Sequence, residues 1–106
     1  ATIHHAGSGT AHEALRSGRP SLGVPFGVDQ PYRAERLHAL GVGPPPLPRA
    51  GLTARRLARA LRELTVSRRA DGYARRAAQV GRECRSRDGV AAAADALADL
   101  GVAAPA

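Results

Sequence analysis

The sequence is poor in several residue types, and each shortage excludes a class of protein. Tryptophan, methionine and lysine are absent, there is one cysteine, and only 3 of the 106 residues are aromatic. A single cysteine can form neither an internal disulfide nor a multi-cysteine metal site, and its place in a helical pattern indicates that Cys84 is a small core residue. Three aromatic residues are too few for a surface on which single-stranded nucleic acid stacks.

Long apolar runs are absent as well. The sequence has no stretch of about 18 apolar residues and no basic segment followed by an apolar one at its start. This pattern predicts neither an integral membrane segment nor a signal peptide. We therefore expect a cytoplasmic protein.

The net charge of +7 raises nucleic-acid binding as a hypothesis. Every basic residue is an arginine, however, in a chain rich in alanine, glycine and proline, and a GC-rich genome encodes this composition at exposed positions. We therefore interpret the arginine-rich stretches as solvated helix faces. A basic nucleic-acid-binding protein remains the least favoured alternative, and we predict no nucleic-acid partner.

The first half of the chain alternates short strands with helices. The predicted order is a strand at Thr2–His4, a helix at about residues 10–17 capped by Thr10, a strand at Ser21–Val24, a helix from Pro31 to Leu40, and a third strand after Val42. Prolines 44–46 restrict that third strand to an edge or to a polyproline-like form. The alternation predicts an α/β fold with a short parallel sheet of about three strands and flanking helices.

The second half is predicted to be helical. One helix begins after Thr53 as its N-cap, one covers residues 68–86, and one is capped by Asp88, with residues 102–106 as a tail. Because three strands make a poor free-standing sheet, we expect the earlier strands of a doubly wound domain to precede residue 1.

A turn rich in glycine joins the first strand to the first helix. His5 is followed by Ala6 and then by Gly7-Ser8-Gly9-Thr10. Glycines let the backbone approach a ligand, and the amides of Gly9, Thr10 and Ala11 at a helix start would favour a diphosphate, to which His5 could donate a hydrogen bond. A simple structural turn is the alternative, since the full Gly-x-Gly-x-x-Gly pattern and the P-loop lysine are both missing.

Asp29 and Gln30 follow the second strand. Ligands of open α/β sheets bind outside the carboxyl ends of the strands, so we expect His5 and Asp29 to face one cleft. A carboxylate beside an amide offers acceptors and donors suited to sugar hydroxyls; the alternative is that Asp29 only caps the next helix. Glu13, one turn into the first helix, could accept hydrogen bonds from a ribose, or it is an ordinary helix residue.

Together these positions resemble the donor-binding signature of the GT-B glycosyltransferases that include plant secondary-product, bacterial antibiotic and sterol enzymes. The plant motif reads His-Cys-Gly-Trp-Asn-Ser, then Glu, then Asp/Glu-Gln, and the bacterial motif reads His-His-Gly-Gly-Ala-Gly-Thr. Here Glu13 stands eight residues after His5, and Asp29 and Gln30 stand 24 and 25 after it, as in the family. Ala6 replaces the usual bacterial glycine, and Ser8 and Gly9 replace the plant Trp and Asn.

The resemblance implies the C-terminal, Rossmann-like portion of a GT-B enzyme, with residues 1–50 as the donor-binding part and 51–101 as C-terminal helices. It also implies site roles. The diphosphate would be bound by His5, Gly7, Ser8, Gly9 and Thr10, the ribose by Glu13, and the sugar by Asp29 and Gln30.

The implied reaction is an inverting hexosyl transfer from a nucleoside diphosphate sugar to a small, hydrophobic acceptor, with neither cofactor nor metal. The catalytic base and the acceptor site are expected in an N-terminal domain outside this chain, so the 106 residues alone would be inactive. A non-catalytic nucleotide-binding remnant is the alternative that stays open.

Overall fold

A computed structural model describes residues 1–101 as a small parallel sheet flanked by helices. The elements in chain order are β1 (Thr2–His4), α1 (Ser8–Arg16), β2 (Ser21–Gly23), α2 (Gln30–Ala39), α3 (Ala54–Thr65), α4 (Ala70–Arg85) and α5 (Gly89–Asp99). The predicted α/β fold with a short parallel sheet and a helical second half is therefore confirmed. The predicted tail at residues 102–106 lies outside the described residues.

The sheet pairs β1 with β2 in parallel, from Thr2 opposite Ser21 to His4 opposite Gly23. The ladder continues at its end, where the Val24 amide donates to the His4 carbonyl over 2.8 Å. Because the strands are parallel, their carboxyl ends lie at one edge of the sheet. The residues that follow β1 and β2 are thus brought to the same side of the molecule.

The sheet within residues 1–101 has two strands where about three were predicted, and the segment expected at the edge or in a polyproline-like form is not a regular strand. The segment after Val42 does run beside β2: the Ser21 amide donates to the Val42 carbonyl over 3.0 Å, and the Leu47 amide donates to the Gly23 carbonyl over 2.9 Å. Between these two bonds stand prolines 44–46, which have no amide hydrogen to donate. A regular ladder therefore cannot form along this edge.

Two apolar clusters form the core. One, centred on α2 and α4, consists of Ala6, Ala34, Leu37, Val42, Ala77 and Val80. The other packs α3 against β2 and consists of Leu22, Val24, Ala60 and Leu64. Cys84 is partly buried against the first cluster, which confirms it as a small packing residue. Together the two clusters hold the sheet and the first two helices in fixed relative positions, which is what a binding site at the sheet edge requires.

Two of the three predicted helix caps are confirmed. The Thr53 hydroxyl accepts from the Arg56 amide at 3.1 Å, and the Asp88 carboxylate accepts from the Ala91 amide at 3.0 Å. Thr10 is not a cap, because α1 begins earlier, at Ser8, with Gly7 as its N-cap. The extended backbone of Gly7 (φ −62°, ψ 153°) carries the chain directly into the helix, so Thr10 lies within its first turn.

The last helix, α5, has no buried residue. Val90 in this helix and Leu100 at its C-cap are 83% and 79% exposed, so the apolar surface here is uncovered among the described residues. Across residues 1–101, no helix combines the length and apolar character needed to cross a bilayer.

The crossing of α1 and α4 depends on a glycine. A Cβ built on Gly81 would lie 2.6 Å from the Gly18 Cα, whereas a Cβ on Gly72 of the same helix meets nothing within 4 Å. We expect Gly81→Ala to lower the free energy of unfolding by about 1–3 kcal/mol through overpacking. Gly72→Ala should raise it by up to about 1 kcal/mol through helix propensity. Urea unfolding measures both, and equal stabilisation by the two substitutions would contradict the close crossing.

Candidate functional site

The turn after β1 is shaped by its own side chains. Ala6 is fully buried and has a left-handed backbone with a φ of 65°, which costs a residue with a Cβ about 1–2 kcal/mol. Glycine, which the resembled bacterial motif has at this position, adopts this conformation without that cost. The Ala6 amide donates to Nδ1 of His4 over 3.1 Å, so His4 holds the turn in this shape.

His4 is neutral in this arrangement. Its Nδ1 is an acceptor, which places the ring proton on Nε2, a buried atom without a partner among the described residues. Burial, and secondarily the neighbouring His5, lowers the pKa of His4 below its usual 6.5. Protonation would turn Nδ1 into a donor and remove the bond to the Ala6 amide.

We expect acid to destabilise the protein through His4. As the pH falls below 6.5, the unfolded chain takes up this proton before the folded chain does, because the folded pKa is lower. The contribution of neutral His4 to the free energy of unfolding is complete above pH 6.5 and declines as the pH falls toward the lowered pKa. His4→Asn keeps an acceptor near the Nδ1 position but does not titrate.

The free energy of unfolding should therefore fall more steeply between pH 7 and 5 in the wild type than in His4→Asn. Equal slopes in denaturant titrations would show that the His4 ring does not hold the turn as a neutral acceptor. The Asp29 carboxyl, whose pKa lies below its usual 3.8, titrates outside this range and does not interfere.

His5 lies over the start of α1. The side chain is exposed, and a Cβ built on Gly7 would stand only 2.6 Å from its Nε2 atom. The imidazole therefore packs against the backbone of Gly7 and depends on the missing side chain there. This contact places a ring nitrogen at the positive end of the helix.

The helix start supplies free amides. An α-helix leaves the amides of its first turn without intrahelical acceptors, and in α1 these belong to Ser8, Gly9 and Thr10. The prediction that Ala11 also offers its amide is wrong, because this amide donates to the Gly7 carbonyl at 2.8 Å. The free amides therefore belong to Ser8, Gly9 and Thr10, all three of which are in the predicted diphosphate-binding set.

Glu13 is the sixth residue of α1 and lies in its second turn. The positive end of a helix acts mainly within its first turn, and Glu13 lies beyond that turn. Its side chain is exposed and borders a cavity of about 750 Å³ between α1 and the turn before α5, lined also by Arg16, Arg85 and Asp88. Glu13 is accessible and lies one helical turn beyond Gly9 on the same helix.

Asp29 stands at the N-cap position of α2, yet its side chain makes no capping hydrogen bond. The carboxylate pairs instead with the Arg33 guanidinium one turn further along the helix. This hydrogen bond is the main reason that the pKa of Asp29 lies below its usual value. The alternative that Asp29 serves only as a helix cap loses support, and its exposed carboxylate remains charged at neutral pH.

Gln30 folds back onto the loop before it. Its Oε1 accepts from the Phe26 amide over 2.8 Å and from the Gly27 amide over 3.3 Å. The backbone amide of Gln30 in turn donates to the Gly27 carbonyl over 3.1 Å. The carbonyl end of this side chain is therefore engaged within the protein, and its NH₂ group is the free donor.

Arg33 is the site residue that the sequence reasoning missed. Besides pairing with Asp29, it lines with Ser8 a cavity of about 190 Å³ between α1 and α2. Arg33 thus pairs with Asp29 at the end of the loop and borders a cavity that Ser8 of α1 also lines. The acid and the arginine stand four residues apart on a helix, and this spacing was the signal that could have revealed the pair.

The arrangement suits an anion beside a hydroxyl-rich group. After β1, the free amides, the His5 imidazole and the positive end of α1 favour negative charge. After β2, Asp29 offers an acceptor and the Gln30 amide offers donors. Within residues 1–101, no three metal-ligating side chains of the His, Cys, Asp or Glu type converge.

Comparison with known proteins identifies the class. The sequence profile of the family described as erythromycin biosynthesis protein CIII-like, C-terminal domain, matches residues 1–100. The chain is 38% identical over 104 residues to a sterol 3-beta-glucosyltransferase of Kluyveromyces lactis, which covers 97% of this chain and 8% of the relative. It is also 54% identical over 43 residues to the vancomycin aglycone glucosyltransferase of Amycolatopsis orientalis. That match covers 41% of this chain and 11% of the relative.

The family match and these similarities place the chain in the GT-B glycosyltransferase class. Within that class, the chain belongs to the erythromycin biosynthesis protein CIII-like C-terminal domain family. It is also 36% identical over 93 residues, 88% of this chain, to a sterol 3-beta-glucosyltransferase of Komagataella phaffii. The chain spans about 8% of the length of the K. lactis relative and 7% of the length of the K. phaffii relative.

Proposed function

We propose that this chain binds the diphosphate and the sugar of a nucleoside diphosphate sugar within a longer hexosyltransferase. The observation that carries the proposal is the start of α1, where His5 packs on Gly7 beside the free amides of the first helical turn. Helix starts with close backbone approach bind phosphate groups. Membership of a glycosyltransferase family supports a nucleotide sugar as the source of that diphosphate.

Each site residue has a proposed part. His5, Gly7, Ser8, Gly9 and Thr10 would contact the diphosphate, and Glu13 would bind the ribose if the nucleoside extends along α1 to its second turn. Asp29 would accept hydrogen bonds from sugar hydroxyls, with Arg33 fixing the direction of its carboxylate. The NH₂ group of Gln30 would donate to a sugar oxygen.

The proposed reaction inverts the anomeric carbon. An acceptor hydroxyl oxygen forms a bond to that carbon while the bond to the diphosphate oxygen breaks, and the hydroxyl proton passes to a base outside this chain. Negative charge grows on the departing nucleoside diphosphate, where the helix start and His5 would stabilise it. In this account these groups supply the electrostatic stabilisation without a metal ion.

The acceptor is proposed to be a small hydrophobic alcohol. Relatives named for a sterol and for the vancomycin aglycone support this class. We propose that the acceptor site and the base belong to other parts of a longer protein, since the chain spans about 8% of the K. lactis relative, and that the 106-residue chain alone is therefore inactive.

A transfer assay on the intact protein that contains this chain tests the proposal. Nucleoside diphosphate hexoses are offered with a sterol and a glycopeptide aglycone, and glycosylated product is measured by mass spectrometry. We expect product with a nucleoside diphosphate hexose and none with the free hexose or the hexose 1-phosphate. Binding of the nucleotide sugar without transfer to any acceptor would favour the non-catalytic nucleotide-binding alternative.

A further inference from the structure

We infer that Gln30 is a positioning residue: it clamps the loop of residues 25–29 after β2 so that Asp29 presents its carboxylate to the sugar. The inference rests on the proposed function and deepens it. It gives Gln30 a second role, holding the loop, beside the proposed hydrogen bond to the sugar.

The loop needs such a clamp. Val28 has a left-handed backbone with a φ of 58°, although it is a β-branched residue, and its side chain is 99% exposed. A left-handed backbone costs an ordinary L-residue free energy, and an exposed side chain gains nothing from burial in return. A strained conformation of this kind persists only where surrounding contacts determine it.

Gln30 supplies those contacts. A single oxygen, Oε1, accepts from two successive amides, Phe26 at 2.8 Å and Gly27 at 3.3 Å. Its own backbone amide closes the ring through the Gly27 carbonyl. These three bonds bracket Val28 on both sides and end at the residue next to Asp29.

The other contacts of the loop are weaker. The Arg49 guanidinium lies 5.0 Å from the centre of the Phe26 ring, a cation–π contact between two exposed side chains. The Asp29–Arg33 pair fixes the carboxylate relative to α2, not relative to the loop. Gln30 is thus the side chain that joins the loop to the helix start.

The two roles of Gln30 use different atoms. Positioning uses the acceptor Oε1, whereas sugar reading uses the NH₂ donor. Gln30→Glu keeps an acceptor of the same length and loses the donor, and Gln30→Met keeps the length but loses both. Gln79→Met is the matched control, because Gln79 is the other glutamine of the chain and is exposed on α4.

The experiment measures hydrogen–deuterium exchange of the peptide that covers residues 24–30 and steady-state transfer kinetics, both in the intact protein. We expect Gln30→Met to exchange faster at the Phe26 and Gly27 amides and to lose about 10- to 100-fold in kcat/KM, as for two lost hydrogen bonds. Gln30→Glu should keep wild-type exchange in this peptide and a higher kcat than Gln30→Met, with its added negative charge felt mainly in KM. Gln79→Met should match the wild type.

Unchanged loop exchange in Gln30→Met would overturn the inference. If both Gln30 variants lose kcat equally while exchange of residues 24–30 stays at the wild-type rate, the inference is also overturned. Binding the sugar would then be the sole role of Gln30. If the wild-type protein transfers no sugar, the proposed function fails, while the exchange data still decide whether Gln30 holds the loop.

Discussion

Alanine at position 43 is expected to destabilise the protein by at least about 3 kcal/mol, the upper part of the range for overpacked sites. A Cβ on Gly43 would stand 1.8 Å from the carbonyl oxygen of Ser21 and 2.9 Å from its carbonyl carbon. Both are backbone atoms of β2, so no side chain can rotate away to make room. The neighbouring hydrogen bond from the Ser21 amide to the Val42 carbonyl would be lost as the two chain segments move apart.

Guanidinium or urea unfolding followed by circular dichroism measures this loss, and Gly27→Ala is its control, because a Cβ there meets nothing within 4 Å. The consequence extends to the site. Gly43 and Pro44 lie against β2, at the position where a third strand would have paired. This packing stabilises β2, and the Phe26–Asp29 loop follows β2 in the chain. A Gly43→Ala protein as stable as the wild type would contradict the close approach of these two chain segments.

Gly7→Ala is expected to weaken binding of a nucleoside diphosphate by about 10- to 100-fold, the equivalent of one lost hydrogen bond to a charged group. The backbone at Gly7 is extended, with a φ of −62°, so alanine fits the chain conformation itself. Its Cβ, however, would overlap Nε2 of His5, which must then leave the helix start. The effect on affinity therefore arises through the imidazole.

A double-mutant cycle with His5→Ala tests that route by calorimetric titration of the intact protein. If Gly7 acts through His5, the double variant binds no more weakly than either single variant, because both remove the same contact. Gly72→Ala, the same substitution at an open position on α4, should leave the affinity unchanged. Additive losses from the two single variants would show that Gly7 contributes independently of the imidazole.

Much of the fold could be predicted because local signals and tertiary structure agree. Thr53 and Asp88 start helices as their side-chain chemistry predicts, and the apolar spacing of the later helices places Ala77, Val80 and Cys84 against the core. The alternation of strand and helix was sufficient for a parallel sheet. Its register followed only from the structure.

For the segment after Val42, the sequence left open an edge strand and a polyproline-like form. An apolar Val42 beside glycine indicates extended backbone, and the segment is indeed hydrogen-bonded to β2 at both of its ends. What decides the outcome is that the prolines between those bonds cannot donate, so the pairing is interrupted. The start of α1 was misplaced because the Thr10 hydroxyl can cap a helix, whereas the Gly7 that the chain uses as its N-cap has no side chain to indicate a cap.

The sequence located the candidate residues along the chain but not the contacts that they make. The spacing of His5, Asp29 and Gln30 identified the two ends of parallel strands that the structure brings to one edge. The backward fold of Gln30 and the pairing of Asp29 with Arg33 depend on side-chain conformations, which spacing does not determine. The left-handed backbones of Ala6 and Val28 were equally invisible, because both residues are types that disfavour this conformation.

The most direct test of the account is a crystal structure of the intact protein with a bound nucleoside diphosphate. We predict that the phosphate oxygens lie about 3 Å from the amide nitrogens of Ser8, Gly9 and Thr10 and from a ring nitrogen of His5. A diphosphate bound elsewhere, for example among Arg16, Arg85 and Arg87 in the cavity beside α5, with the start of α1 left open, would contradict it.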